Sequence, residues 1–339
     1  MGEESAILLE WLRDAGALKG ESPLITPLAG GVSSDIHLVR DGERVFVVKR
    51  ALEKLKVAED WRSDPGRNRH EQRYLRYVAS FLPRSVPRIL FGSEENGWFA
   101  MEYFGDGFVN WKSTLLQGQC DQEAARGAMS LLARVHNHSR GQTELAREFD
   151  TTKNFHQLRT DPYLLATAGR HPALASLLEA EVTRLEGRYE CLVHGDFSPK
   201  NILLSVDRQI LLDCEVAWYG DPAFDLAFFL NHLLLKALYH APREPGFRTL
   251  FDTAMKTYSS SSDQTADEVA SLDRRSARLL LMLMLARIDG KSPVEYIITE
   301  EKKEAVRQFV LALLPGFQEG LREVAARWFM ELRGRFGGL

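Results

Sequence analysis

The sequence predicts an α+β chain of two lobes: a small one built on an antiparallel sheet with a helix, and a large, mainly helical one. Three observations lead there. Residues 24–103 hold five short apolar segments separated by turn signals, the pattern of paired strands. Most of the chain beyond Asp121 carries apolar residues at helical period. Between the two lies Phe104-Gly105-Asp106-Gly107, a glycine-rich break. A chain of 339 residues can give each lobe its own core.

Composition narrows the function classes. A net charge of −4 and a pI near 6.2 leave no broad basic footprint for nucleic acid. Cys120, Cys191 and Cys214 are odd in number and far apart, so neither a disulfide framework nor a Cys-x-x-Cys metal site is indicated. A reducing cytoplasm fits such a chain. The start, Met1-Gly2-Glu3-Glu4-Ser5-Ala6, is acidic and lacks the basic-then-apolar pattern of a secretory signal. Ala6 stands where myristoylation of Gly2 would want Ser or Thr. The longest apolar runs, Phe228 to Leu235 and Leu279 to Ala286, are too short for a bilayer, so no membrane partner is expected.

In chain order, Ile7, Leu8, Trp11 and Leu12 predict an amphipathic helix over 4–15. Strands are expected at 24–28, 36–39 and 45–49, the last two joined by the hairpin signal Asp41-Gly42. The first two flank Ala29-Gly30-Gly31-Val32-Ser33-Ser34. Glycines there let backbone N–H groups approach phosphate, and the Ser33 and Ser34 hydroxyls are further donors. Lys49 ends an apolar strand, and a buried ammonium needs a counter-charge. The predicted helix over 68–79 offers Glu71 beside the apolar stripe Tyr74, Leu75 and Val78; Glu53 and Glu59 compete, because 52–61 also reads as helical. Strands over 88–91 and 98–103 complete the small lobe.

In the large lobe, Asp121 caps a helix to about His138 with Ala128, Leu131, Leu132 and Val135 buried; His136 and His138 read as packing or surface residues. Residues 139–187 are harder to read, apart from a helix over 173–185. Then come two short apolar strands around a polar loop, Leu192-Val193-His194-Gly195-Asp196-Phe197-Ser198-Pro199-Lys200-Asn201-Ile202-Leu203-Leu204, followed by Ile210-Leu211-Leu212-Asp213. A loop with an Asp, an Asn and a second, strand-end Asp can gather oxygen ligands and a base around phosphates and magnesium. Residues 223–237 are almost wholly apolar and predict a central buried helix, in which Asp225 must find bonds to be buried. Helices over 247–259, 265–288, 298–314 and 317–334 fill the rest.

His194-x-Asp196-x-x-x-x-Asn201 followed by Asp213 resembles the catalytic and metal loops of the aminoglycoside phosphotransferase and choline kinase family, small-molecule relatives of the protein kinases. Asp213-x-Glu215, Gly220-Asp221-Pro222 and Asp225-Leu226-Ala227 resemble the next block of that family. The resemblance implies a protein-kinase-like fold, with residues 1–103 a nucleotide-binding lobe, 104–108 a hinge, and 109–339 a catalytic and acceptor-binding lobe. It implies ATP and Mg²⁺ as cofactors and a small-molecule hydroxyl acceptor as partner. Asp196 would orient the acceptor hydroxyl and take its proton. Lys200 is within reach of the transferring group, though it also reads as a solvated loop lysine. Asn201 and Asp213 would hold the metal, with Glu215 a partner behind it. Gly30, Gly31, Ser33 and Ser34 would cover the phosphates, Lys49 would fix them, and Glu71 would fix Lys49. Backbone groups near Glu102 and Phe104 would meet adenine. Asp225 would hold backbone N–H groups of the catalytic loop.

A protein kinase fits less well, because His-Gly-Asp replaces the usual His-Arg-Asp and only about eight residues separate Asp213 from Pro222. A catalytically silent nucleotide-binding regulator fits less well too, because Lys49, Asp196, Asn201 and Asp213 are all present. The acceptor is expected not to be a polycation: residues 243–339, a region that shapes the acceptor site in this family, hold 15 Lys and Arg against 14 Asp and Glu. That leaves no carboxylate surplus unless folding gathers Glu300, Glu301 and Glu304 into one wall. A neutral or anionic hydroxyl compound held by Arg287 or Lys291 fits at least as well.

Overall fold

A computed structural model of the chain describes residues 3–20, 22–28, 33–56, 61–93, 97–242 and 246–337. Gly30, Gly31 and Glu59 lie outside them. The chain divides into two compact units, Met1–Phe108 with Ile210–Glu215, and Val109–Gln209 with Val216–Leu339.

The first unit begins with α1 (Glu3–Asp14) and holds a five-stranded sheet of β1 (Leu24–Pro27), β2 (Ser34–Asp41), β3 (Arg44–Ala51), β4 (Ile89–Ser93) and β5 (Trp98–Glu102) in the order β1-β2-β3-β5-β4. Every pairing is antiparallel. The expected hairpin is present: Asp41 faces Arg44, and Gly42 takes the positive φ of +62° that the tight connection requires. Strand alternation then assigns the faces of β3. Phe46 and Val48 join Leu8, Leu12, Val39, Trp98 and Ala100 in a core against α1. Lys49 therefore points to the opposite face, where α2 (Arg67–Phe81) buries Glu71, Tyr74, Leu75 and Val78. Residues 52–56 are not helical; Lys54 instead bridges to Arg62 as isolated β structure.

The second unit is mostly helix: α3 (Trp111–Leu116), α4 (Gln122–Ser139), α5 (Thr143–Glu148), α6 (Thr152–Phe155), a π-helical turn over His156–Leu165, α7 (Ala166–Arg170), α8 (Ala175–Glu186), α9 (Ala223–His240), α10 (Phe247–Ser261), α11 (Ala266–Asp289), α12 (Glu300–Leu313) and α13 (Leu321–Phe336). Asp121 caps α4 by accepting from the Glu123 N–H, and Thr265 with Glu268 forms a capping box on α11. Helix α9 is buried from Ala223 to Leu238 on every side, as a helix apolar all round must be. Its one acidic residue, Asp225, sits in the first turn. Short strands frame the loop before it: β6 (Val109–Asn110) pairs with β8 (Ile202–Leu204), β7 (Cys191–Val193) pairs with β10 (Trp218–Gly220), and β9 (Gln209–Leu211) carries the chain from the second unit into the first. No described helix is long and apolar enough to cross a membrane. No disulfide joins the cysteines of the described residues.

Candidate active site

In the first unit the geometry centres on Lys49, 2 % exposed. Its ammonium lies 2.8 and 2.7 Å from the two oxygens of Glu71 and 2.6 Å from Asp213 Oδ1. Burial works against the ammonium, but Asp213, Glu71 and Glu215 outweigh it and hold its pKa well above the ordinary lysine value. Of the competitors for this role, Glu53 is exposed and lies 3.7 Å from Arg62. Glu71, Asp213 and Glu215 each bring an oxygen within 4.8 Å of the others, the one such acidic group among the described residues. Asp213 holds a left-handed φ of +60°, a conformation that Asp tolerates better than most residues.

Arg67 organises the rest of this region, and sequence reasoning passed over it. It lies one helical turn before Glu71 and is 1 % exposed. Its guanidinium donates to the carbonyls of Ser33 and Leu52, each at 2.6 Å, to that of Asp64 at 2.9 Å, and to Glu215 at 3.3 Å. The planar fork thus ties the chain at Ser33 to the carboxylate after Asp213. Ser34 is buried, and its hydroxyl donates to Glu215 at 3.1 Å rather than standing open as a phosphate donor. Glu102 ends β5 opposite Phe46, with its N–H on the Arg88 carbonyl. Phe104 stacks edge-on with Phe108, 5.0 Å between centroids.

In the second unit the loop after β7 is anchored from below by Asp225. Its carboxylate accepts the N–H groups of His194 (2.8 Å) and Gly195 (2.9 Å) and contacts His136 Nε2 at 3.2 Å, while His136 Nδ1 meets the Tyr258 hydroxyl at 2.8 Å. All of this is buried, which explains how α9 tolerates an acid and why His136 belongs to packing. His138 is exposed. Gly195 must be glycine: φ is +75°, and a Cβ there would come within 2.5 Å of the Val216 carbonyl. Replacing Asp225 by Ala strands two backbone donors and an imidazole, so we expect a loss of about 3–5 kcal/mol. Urea unfolding checks this, and a loss below about 1 kcal/mol would mean that water satisfies those donors.

Asp196 is 5 % exposed and held by two cations, Arg159 Nη2 at 3.2 Å and Lys200 Nζ at 3.0 Å. The structure thus places Lys200 on Asp196. Asn201 donates its amide nitrogen to the Asp196 carbonyl at 3.0 Å, a bond that does not engage its side-chain oxygen. That oxygen and the Asp213 carboxylate are hard donors of the kind Mg²⁺ takes.

A profile of the "Phosphotransferase enzyme family" matches residues 24–255. The chain belongs to that family. Methylthioribose kinases are among the proteins this chain resembles: that of Exiguobacterium sibiricum is 26% identical over 68% of this chain and 65% of its own length, and that of Pectobacterium atrosepticum 25% identical over 80% and 79%. The first of these matches thus spans just under two thirds of the relative. Among solved structures, the streptomycin–ATP–APH(2″)-IIa ternary complex aligns with TM-score 0.51 at 16% identity, over 92% of this chain and 97% of that one. Amicoumacin kinase hAmiN with AMP-PNP, Ca²⁺ and Ami aligns with TM-score 0.52 at 13% identity, over 96% of each. These likenesses show the fold, the kinase-like fold expected from the sequence.

Arg159 is the other residue that sequence reasoning missed. It sits on the π-helical turn that contains Pro162, 6 % exposed, with Nε on the Gly195 carbonyl at 2.5 Å and its guanidinium 5.7 and 5.6 Å from the rings of Tyr163 and Phe228. No short motif marks it. The 285–296 segment, left without a role by the sequence, closes on the same turn: the Lys291 N–H donates to the Pro162 carbonyl, the Lys291 ammonium lies 2.9 Å from Asp161, and Arg287 donates to the Tyr163 hydroxyl at 3.2 Å. Glu300 and Glu304 are taken up by Arg307 rather than gathered into an acidic wall.

Proposed function

We propose that the protein transfers the γ-phosphoryl group of ATP to a hydroxyl of a small molecule. The observation that carries the reading is the buried Lys49 ammonium on Glu71 and Asp213, the arrangement by which a kinase lysine is held for nucleotide phosphates. The hydroxyl oxygen of the acceptor bonds to the γ-phosphorus as the bond from phosphorus to the bridging oxygen of ADP breaks, and the hydroxyl proton passes to Asp196 and then to solvent. Arg159 and Lys200 orient the Asp196 carboxylate, and Asp225 fixes the loop that carries it. Asn201 and Asp213 would hold Mg²⁺, which when bound offsets charge on the phosphate oxygens. Gly30, Gly31 and Ser33 belong to the segment assigned to the phosphates, and the backbone at Glu102 and Phe104 to adenine. Ser34 acts through Glu215.

The names of the relatives make methylthioribose the first acceptor to try. The test is ADP formation over a panel of methylthioribose, other sugars, sugar phosphates, hydroxy acids, amino alcohols and aminoglycosides, with a parallel calorimetric titration of Mg·ATP. We expect binding of Mg·ATP and acceptor-dependent ADP formation with one chemical class. Absence of both would contradict the proposal.

A further inference from the structure

We infer that the acceptor carries an oxyanion, a carboxylate or a phosphate monoester, and that Lys236 with Arg287 receives it; this rests on the phosphotransfer reading of the site. Phe228, His232 and Lys236 follow one another at four-residue spacing along α9 and so share one face. Lys236 is 1 % exposed, its ammonium stands 4.8 Å from the centroid of the Tyr296 ring, and it has no hydrogen bond or ion pair among the described residues. A buried ammonium is kept charged at a cost unless an anion answers it. Burial, followed by the nearby Lys112, brings its pKa down to about 7, with Glu295 opposing and Arg287 adding to the fall.

The neighbours repeat the pattern. Burial and then Lys236, Arg287, Lys200 and Lys112 press the His232 ring toward neutrality. Glu295 is already paired with Lys112. Arg287 spends Nη1 on Tyr163 and Ser292, but its Nε is buried without a partner, as is the Tyr296 hydroxyl. Among the described residues named around this turn, six cations, Arg159, Lys200, Arg287, Lys236, Lys112 and Lys291, stand against three carboxylates, Asp196, Glu295 and Asp161.

Side-chain contacts lead from this cluster to Asp196. Arg159 touches the Asp196 carboxylate and the Tyr163 and Phe228 rings, Tyr163 meets Arg287 at 3.2 Å, and the Phe228 ring lies 5.2 Å from His232. An acceptor with its hydroxyl at Asp196 and an oxyanion further along would complete Lys236 and Arg287. A neutral acceptor would leave Lys236 unanswered, and a cationic one would meet repulsion.

The test compares kcat/KM for glycerate, glycerol 3-phosphate and ribose 5-phosphate with that for glycerol, ribose, methylthioribose and ethanolamine, in the wild type and in Lys236→Met. We expect an anionic probe to lead the wild-type series by at least about tenfold, glycerate against the phosphates showing which oxyanion is taken. Lys236→Met, which removes a buried charge that has no partner and so should fold, is expected to lower that lead at least about tenfold through KM. At pH 8 calorimetry should show wild type taking up as much as about one proton on binding the anionic probe, since an anion restores the ammonium, and Lys236→Met should show none. Preference for a neutral or cationic probe, or an anionic preference untouched by Lys236→Met, would overturn this inference while leaving phosphotransfer standing. Failure of every probe together with failure to bind Mg·ATP would overturn the phosphotransfer reading and this inference with it.

Discussion

Asp196→Asn is expected to lower turnover by about 10²–10⁴-fold, the usual contribution of a positioned general base, while Mg·ATP affinity stays within a few-fold. The amide keeps the size and shape of the carboxylate, so the loop, anchored through Asp225 and not through Asp196 itself, should hold its place. What would be lost is the proposed acceptor of the hydroxyl proton, together with the charge that pairs with Arg159 and Lys200. Turnover and nucleotide affinity are measured on the same preparation. Parallel losses in both would assign Asp196 to the nucleotide instead.

The second large effect is expected at Asp213. In Asp213→Ala the Lys49 ammonium keeps both oxygens of Glu71, so the buried pair survives and the first unit should remain folded. Mg·ATP affinity should fall by at least about 10–100-fold, since even the partners that support a metal ligand are worth that much. Titration calorimetry with and without Mg²⁺ gives the answer. An unchanged affinity would mean that Glu215, held by Arg67 and Ser34, is the carboxylate that matters.

Much of this was legible in the sequence because it is local. Strand alternation and the Asp41-Gly42 turn specify the sheet through contacts between near neighbours, and the long apolar run of 223–237 can only be a buried helix. The polar loop between Val193 and Ile202 is legible for the same reason, since its Asp, Lys and Asn are all supplied within six residues. Asp225 was legible because a lone acid in an apolar helix has to be bonded. Arg67 and Arg159 were not, because each looks like an ordinary surface arginine until the fold buries it, and their partners are far away in sequence: Glu215 lies 148 residues from Arg67, and Gly195 lies 36 from Arg159. Ile210–Glu215 was read with the large lobe by sequence order, yet its contacts gather it into the first unit, where Leu211 donates to the Ser85 carbonyl. Lys236 hid inside the apolar run that made α9 easy to predict.

The most direct measurement of the central claim is a ³¹P NMR record of the wild-type protein with Mg·ATP and the best acceptor from the panel. The γ-phosphate resonance is expected to decline as a phosphomonoester resonance of the acceptor grows in step with ADP, with little inorganic phosphate. A γ resonance that persists, or that passes only into inorganic phosphate, would contradict it.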